Sequence, residues 1–138
     1  MKRLIPFTAV LLLLFSFSCK KLIDKKKEDL LVDAITNGVW VVEQYKAGEN
    51  DITSDFTGYE FRFSENGTVT GTKESTISNG TWTGDIDSRS ITALFPSAGD
   101  PLIKLNGTWL LTDTYWDYVE ASMTVSSVTY QLHLRKKS

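Results

Sequence analysis

Two stretches of this chain alternate strictly between apolar and polar side chains, and that period of two limits what the chain can fold into. In "YEFRF", Tyr59, Phe61 and Phe63 share one side while Glu60 and Arg62 take the other. In "VTYQLHLRK", Val128, Tyr130, Leu132 and Leu134 oppose Thr129, Gln131, His133 and Arg135. Successive side chains of a β-strand point to opposite faces, so such runs read as strands with one face buried. The same pattern predicts strands at about 38–46, 57–64, 68–76, 80–87, 90–95, 101–106, 108–113 and 115–126, with a ninth at 128–136. Beyond residue 36 no helical period of useful length occurs. The expected class is all-β and antiparallel, with hairpins following one another in sequence order.

Register follows from the same alternation, because a one-residue slip exchanges the two faces of a strand. A two-residue loop at Ser126-Ser127 sets Val125 against Val128, Met123 against Tyr130, Ala121 against Leu132 and Val119 against Leu134, every pair apolar. It also sets Glu120 opposite His133 and Tyr118 opposite Arg135 on the solvent side. The tetrapeptide "NGTW" at 79–82 and 106–109, and "NGTV" at 66–69, invite the same treatment. Asn-Gly favours the type I′ hairpin turn, since both residues tolerate positive φ. A two-residue loop at Asn79-Gly80 sets Ile77 against Trp82. A three-residue loop over Glu65-Asn66-Gly67 pairs Phe63 with Val69 and Phe61 with Gly71, and one starting at Leu105 pairs Ile103 with Trp109. In each case the residue two after the glycine becomes an inward anchor. Asn66, Asn79 and Asn106 also satisfy a glycan acceptor pattern, but turn chemistry accounts for them without it.

Residues 37–138, 102 in number, suffice for one hydrophobic core and not for two domains. Their 8 basic and 13 acidic side chains leave a net charge of −5, which argues against a nucleic-acid partner. A monomeric domain is expected.

Gly38-x-Trp40, on the first strand after a short helical lead-in, resembles the G-x-W signature that opens lipocalin and lipocalin-like barrels. The resemblance covers about residues 35–136 and implies an up-and-down barrel of about eight strands with a short N-terminal helix, its base closed by Trp40. It also implies that a basic residue near the last strand lies over that tryptophan, with Arg135 as the cation–π partner. A small lipocalin-like domain of a bacterial envelope lipoprotein is the nearest description. A barrel this compact can be filled by its own side chains instead of being hollow.

The N-terminus supplies an address. Lys2 and Arg3 precede an apolar run from Leu4 to Phe17, 14 residues long, short of the ~20 a spanning helix needs. Ser16-Phe17-Ser18-Cys19 resembles a bacterial lipobox, in which the cysteine becomes the acylated first residue. Cys19 is the only cysteine and has no internal disulfide partner. Residues 1–18 are thus expected to be a lipoprotein signal peptide, 19–36 a lipid-tethered linker with a short helix, and 37–138 the barrel domain. Lysines 20, 21, 25, 26 and 27 mark the linker, and Leu30, Leu31, Ala34 and Ile35 fall on one helical face. The expected location is the envelope, lipid-anchored, in the outer membrane.

Catalytic chemistry is thinly supplied. His133 is the only histidine and its register turns it outward, while Cys19 is taken by lipid, so no Cys/His pair or Ser-His-Asp triad can form within the domain. Asp85-x-Asp87 and Asp113-x-x-x-Asp117 lack the spacing of a known calcium loop and read as solvated turn acids. No enzyme activity, metal or cofactor is expected. The weak ligand-binding candidates are the inward aromatics Trp40, Tyr59, Phe61, Phe63, Trp82, Trp109 and Tyr130. Trp116 and Tyr118, on the opposite face in "TDTYWDYVE", are the candidates for an outer contact, or else stack on Lys137 and Arg135. Two functions follow: a tethered barrel holding a small apolar molecule inside, or a filled barrel acting through its outer face or loops.

Overall fold

The structure is a computed structural model and describes residues 26–138. The expected signal peptide, Cys19 and the expected linker up to residue 25 lie outside the described residues. Helix α1 occupies residues 26–36. After it come β1 (Trp40–Ala47), β2 (Asn50–Asp51), β3 (Tyr59–Phe63), β4 (Thr68–Lys73), β5 (Thr76–Asp85), β6 (Ser90–Leu94), β7 (Gly107–Thr114), β8 (Tyr118–Val125) and β9 (Val128–Lys136). Apart from the two-residue flap β2, each strand pairs antiparallel with its sequence neighbour, and β9 returns to pair with β1. Eight strands thereby close an up-and-down meander barrel. The β1–β9 seam runs from Trp40↔Lys136 to Ala47↔Tyr130, whereas β1 meets β3 only at Trp40↔Phe61.

The β8–β9 hairpin has the expected register along its whole length, from Val125↔Val128 to Tyr118↔Arg135. Ser126 and Ser127 both carry positive φ (50° and 67°), the backbone of a type I′ turn. The loop Glu65-Asn66-Gly67 also forms as expected, pairing Phe63 with Val69 and Phe61 with Gly71. Gly67 takes φ 88°, and Asn66 Oδ1 accepts from the Thr68 amide at 3.1 Å.

Four expectations are corrected. Asn79-Gly80 is not a turn: it lies inside β5, with Asn79 opposite Thr70 and Gly80 opposite Val69. The β4–β5 turn falls at Glu74-Ser75, so Ile77 pairs with Thr72 and points out, 62% exposed. Gly80 is required for space instead. A Cβ there would lie 2.5 Å from the Leu94 carbonyl oxygen and 2.9 Å from the Phe95 ring. Residues 101–106 are not a strand; Leu102–Leu105 form a 3-10 helix, Ile103 is exposed, and Trp109 pairs with Ile91. The predicted strand over 115–126 begins only at Tyr118, because Trp116-Asp117 makes the β7–β8 turn, with the Tyr115 amide on the Tyr118 carbonyl at 2.9 Å. Finally, α1 buries Leu31, Val32 and Ile35 against the core while Leu30 is 61% exposed, so the apolar face is rotated by about one residue.

Three indoles explain why the barrel has covered ends. Trp40, Trp82 and Trp109 are buried, and each ring nitrogen donates to a carbonyl outside the strands: Ile35 at 2.8 Å, Ser64 at 2.9 Å and Leu105 at 2.9 Å. Those carbonyls belong to the end of α1, the β3–β4 turn and the second 3-10 helix. A buried indole removes roughly 150–250 Å² from water, worth about 4–6 kcal/mol on the usual area scale. That exceeds the ~1–3 kcal/mol cost of an unpaired buried donor, so pairing it chiefly selects geometry. Tyr45 adds a fourth pin by donating to the Lys104 carbonyl at 2.6 Å. At the end of the barrel away from α1, the first 3-10 helix (Thr53–Phe56) and the second insert Phe56, Leu102 and Leu105. At the base, α1 inserts Ile35.

Candidate functional site

The interior is the first place to seek a ligand. Trp40, Phe61, Phe63 and Trp109 line one cavity together with Val69, Phe95 and other apolar side chains, as the alternation predicted. The other three predicted residues lie elsewhere. Trp82 faces a groove beside α1. Tyr59 stacks on Phe61 (6.1 Å) beneath the Lys73 ammonium (5.3 Å), and Tyr130 meets Tyr45 edge-on at 6.4 Å. The cavity that remains is about 60 Å³ and wholly apolar in its lining residues. Ligand sites usually measure roughly 300 Å³ or more, so the aromatics fill the barrel more than they line a hollow.

Alternation alone missed Tyr45, which is 1% exposed. A strict period of two from Trp40 would send it outward. A bulge between Val42 and Gln44 shifts the register by one and turns it in. It stacks on Phe56 (5.2 Å) and meets Trp109 edge-on (5.8 Å). Burial and the neighbouring Tyr130 push its phenol up to about 12.

The second place is the base. The predicted Arg135–Trp40 stacking does not form. Lys136, the next residue, places its ammonium 5.0 Å from the Trp40 ring centroid, because Trp40↔Lys136 is the pair that register aligns. Arg135 turns outward, 5.7 Å over Tyr118, and its Nε donates to Glu43 at 3.0 Å, which holds the guanidinium above its ordinary pKa. Lys137 pairs with Glu60, not with Trp116. Trp116 instead has the Lys136 ammonium 5.7 Å from its ring, and it is 68% exposed.

Tyr118 is tied down more than its sequence position suggested. Its hydroxyl donates to Asp113 at 2.8 Å, a bond that pushes its pKa up to about 12. Tyr115, which the sequence reading passed over, stacks on it at 5.5 Å and is 64% exposed. The exposed aromatic pair of the β7–β8 turn is therefore Tyr115 and Trp116. Only a turn placed at Trp116-Asp117 makes that visible, and the alternating pattern does not mark it.

A second concavity, of about 260 Å³, lies between α1 and the turns after β3 and β5, lined by Glu28, Leu31, Val32, Trp82 and Ile86 among others. The remaining polar candidates behave as surface groups. His133 Nδ1 lies 3.9 Å from Glu120 on the outside. Asp85 Oδ1 caps its own turn by accepting from the Asp87 and Ser88 amides, and Asp117 lies 3.9 Å from Arg135. Among the described residues, no group of three or more His, Cys, Asp or Glu side chains is placed to hold a metal ion.

Together these features define a class: a closed, eight-stranded antiparallel meander barrel, plugged at both ends and packed within, which fits a lipocalin-like barrel. Among solved structures, the chain is similar to a DUF4847 family protein from Bacteroides vulgatus, with a TM-score of 0.57 and 15% identity over 78% of this chain and 99% of that one. At that identity the likeness is one of fold. No family model matches the chain, and no curated protein does.

Proposed function

We propose that this chain is an envelope lipoprotein, acylated at Cys19 and held at the outer membrane, whose barrel is a non-catalytic binding module acting through its exterior. The observation that carries this reading is a contrast. The interior offers about 60 Å³, while Tyr115 and Trp116 stand 64% and 68% exposed on one turn. Isolated exposed aromatics need no explanation, but two adjacent ones on a turn tip suit a contact. The tether is supported by the charged start, the apolar run and the lone Cys19. Several acyl chains on one cysteine hold a protein firmly to a bilayer. The test is mass spectrometry of the mature N-terminus alongside membrane fractionation. An acylated Cys19 and loss of membrane association in Cys19→Ala are expected; an unmodified cysteine refutes the tether.

A second reading keeps a small hydrophobic molecule inside the barrel, and the purely apolar lining of the cavity favours it. Apolar cavities stay dry and admit small apolar molecules when large enough. Native mass spectrometry of the purified chain with short fatty acids, read also by Trp fluorescence, separates the two. A retained one-to-one adduct that perturbs the buried tryptophans would replace the exterior reading.

A further inference from the structure

The tether and the exposed aromatics share one end of the barrel. α1 leads directly into Trp40 at the start of β1, and Trp40 pairs with Lys136 at the end of β9. The Lys136 amide donates to the Asp117 carbonyl at 2.8 Å, and its ammonium donates to the Ala34 carbonyl at 3.3 Å. The same ammonium lies between the rings of Trp40 and Trp116. The last turn of α1, the base of the barrel and the Tyr115-Trp116 tip are thus one neighbourhood. From Ala34 back to residue 26 the helix spans about 12 Å at 1.5 Å per residue. The seven steps from there to Cys19 reach at most ~25 Å when fully extended. An acyl group on Cys19 is therefore joined to the barrel through α1, at the base, within about 37 Å of Ala34.

We infer that the Tyr115-Trp116 tip seats in the headgroup region of the bilayer that holds the Cys19 acyl chains. This rests on the tethered reading above and names the partner of its exterior surface. The chemistry of the tip fits that occupant. Tryptophan and tyrosine collect at membrane interfaces because each has an apolar ring and a polar handle. The two nearby carboxylates are drawn aside, Asp113 by the Tyr118 hydroxyl and Asp117 toward Arg135. Lys26 and Lys27 are exposed at the start of α1, so the helix begins with positive charge that suits a headgroup surface.

The test uses the chain purified from envelopes and reconstituted in phosphatidylcholine vesicles with and without brominated acyl chains, as wild type and Trp116→Phe, with the state of Cys19 read by mass spectrometry. Trp40, Trp82 and Trp109 are buried, so the emission lost in Trp116→Phe reports the tip. That difference emission should fall by about half or more in brominated vesicles, as for an indole in the interface. If it does not fall while mass spectrometry shows Cys19 acylated, the bilayer seat is wrong and the tether stands. If it does not fall and Cys19 is unmodified, both are wrong. Quenching without acylation keeps the seat and removes the tether. Shielding of Trp116 from iodide in native envelopes but not in pure vesicles would identify a protein occupant and overturn the inference.

Discussion

Lys136 lies over Trp40, its ammonium 5.0 Å from the ring centroid and 3.3 Å from the carbonyl of Ala34, so one side chain joins the last strand, the first strand and the helix. A partly desolvated cation over an indole is worth about 0.5–2 kcal/mol. The Arg135–Glu43 pair, by contrast, is exposed and screened by solvent, so it contributes little. Lys136→Ala should therefore lower the stability of the barrel by about 1–2 kcal/mol, and Arg135→Ala by clearly less. Urea unfolding of both variants checks this; equal losses would show that the stacking contributes nothing particular.

The chain places Asn79-Gly80 where no tight turn exists and Ser126-Ser127 where one does. In β5, Asn79 is exposed and Gly80 faces Leu94 and Phe95 at distances that leave no room for a methyl group. Gly80→Ala should cost about 1–3 kcal/mol by overpacking, whereas Asn79→Ala should change stability by less than about 0.5 kcal/mol. A true type I′ turn at 79–80 would reverse the emphasis onto Asn79. Conversely, replacing Ser126 by Asn together with Ser127 by Gly should stabilise the barrel by about 1 kcal/mol, because both positions already hold positive φ. Thermal or urea midpoints read all three.

Where the sequence was legible, two independent constraints agreed. The β8–β9 hairpin has apolar alternation on both strands and only one loop that pairs them, so register followed to the last residue. The fold class and the inward set of Trp40, Phe61, Trp82 and Trp109 followed likewise. Legibility failed where tertiary contact overrides local preference. Gly80 mimics a turn glycine because close backbone approach and positive φ both select glycine. Leu102–Leu105 mimics a strand because both of its buried leucines cap the barrel, a role with no period to reveal it. Tyr45 was hidden by a bulge, and Lys136 was missed in favour of Arg135 by a single register step. The candidate outer site was half legible: Trp116 was seen, while Tyr115 required the position of the turn.

Asn106 does what its neighbours in the tetrapeptide do not. Its Oδ1 accepts from the Phe95 amide at 2.7 Å and its Nδ2 donates to the Phe95 carbonyl at 3.4 Å, so one side chain closes the long connection between β6 and β7. Removing it leaves the half-buried Phe95 amide without that partner, at a cost of about 1–3 kcal/mol. Asn106→Ala should show that loss in full. Asn106→Asp keeps the shorter bond and should lose less at neutral pH. Denaturant titration orders the three proteins; an Asp variant as weak as the Ala variant would assign the longer bond the greater share.

Tyr45 and Tyr118 are both pushed up to about 12, the first mainly by burial and the second mainly by its bond to Asp113. Both should ionise late, well above the ordinary tyrosine range, in an ultraviolet titration of the folded protein. The folded pKa lies above the ordinary value of 10, so the unfolded chain releases its protons first. Stability is then fully present below pH 10 and declines as pH rises from about 10 to about 12. Tyr118 is the more open of the two and its share is screened by solvent. Most of the slope therefore belongs to Tyr45, whose ionisation would place a charge among Phe56, Trp109 and the Lys104 carbonyl. Tyr45→Phe should be less stable at pH 7 through the lost hydrogen bond, yet its stability should vary less between pH 10 and pH 12. A variant with the wild-type slope would show that Tyr45 does not set the alkaline limit of this barrel.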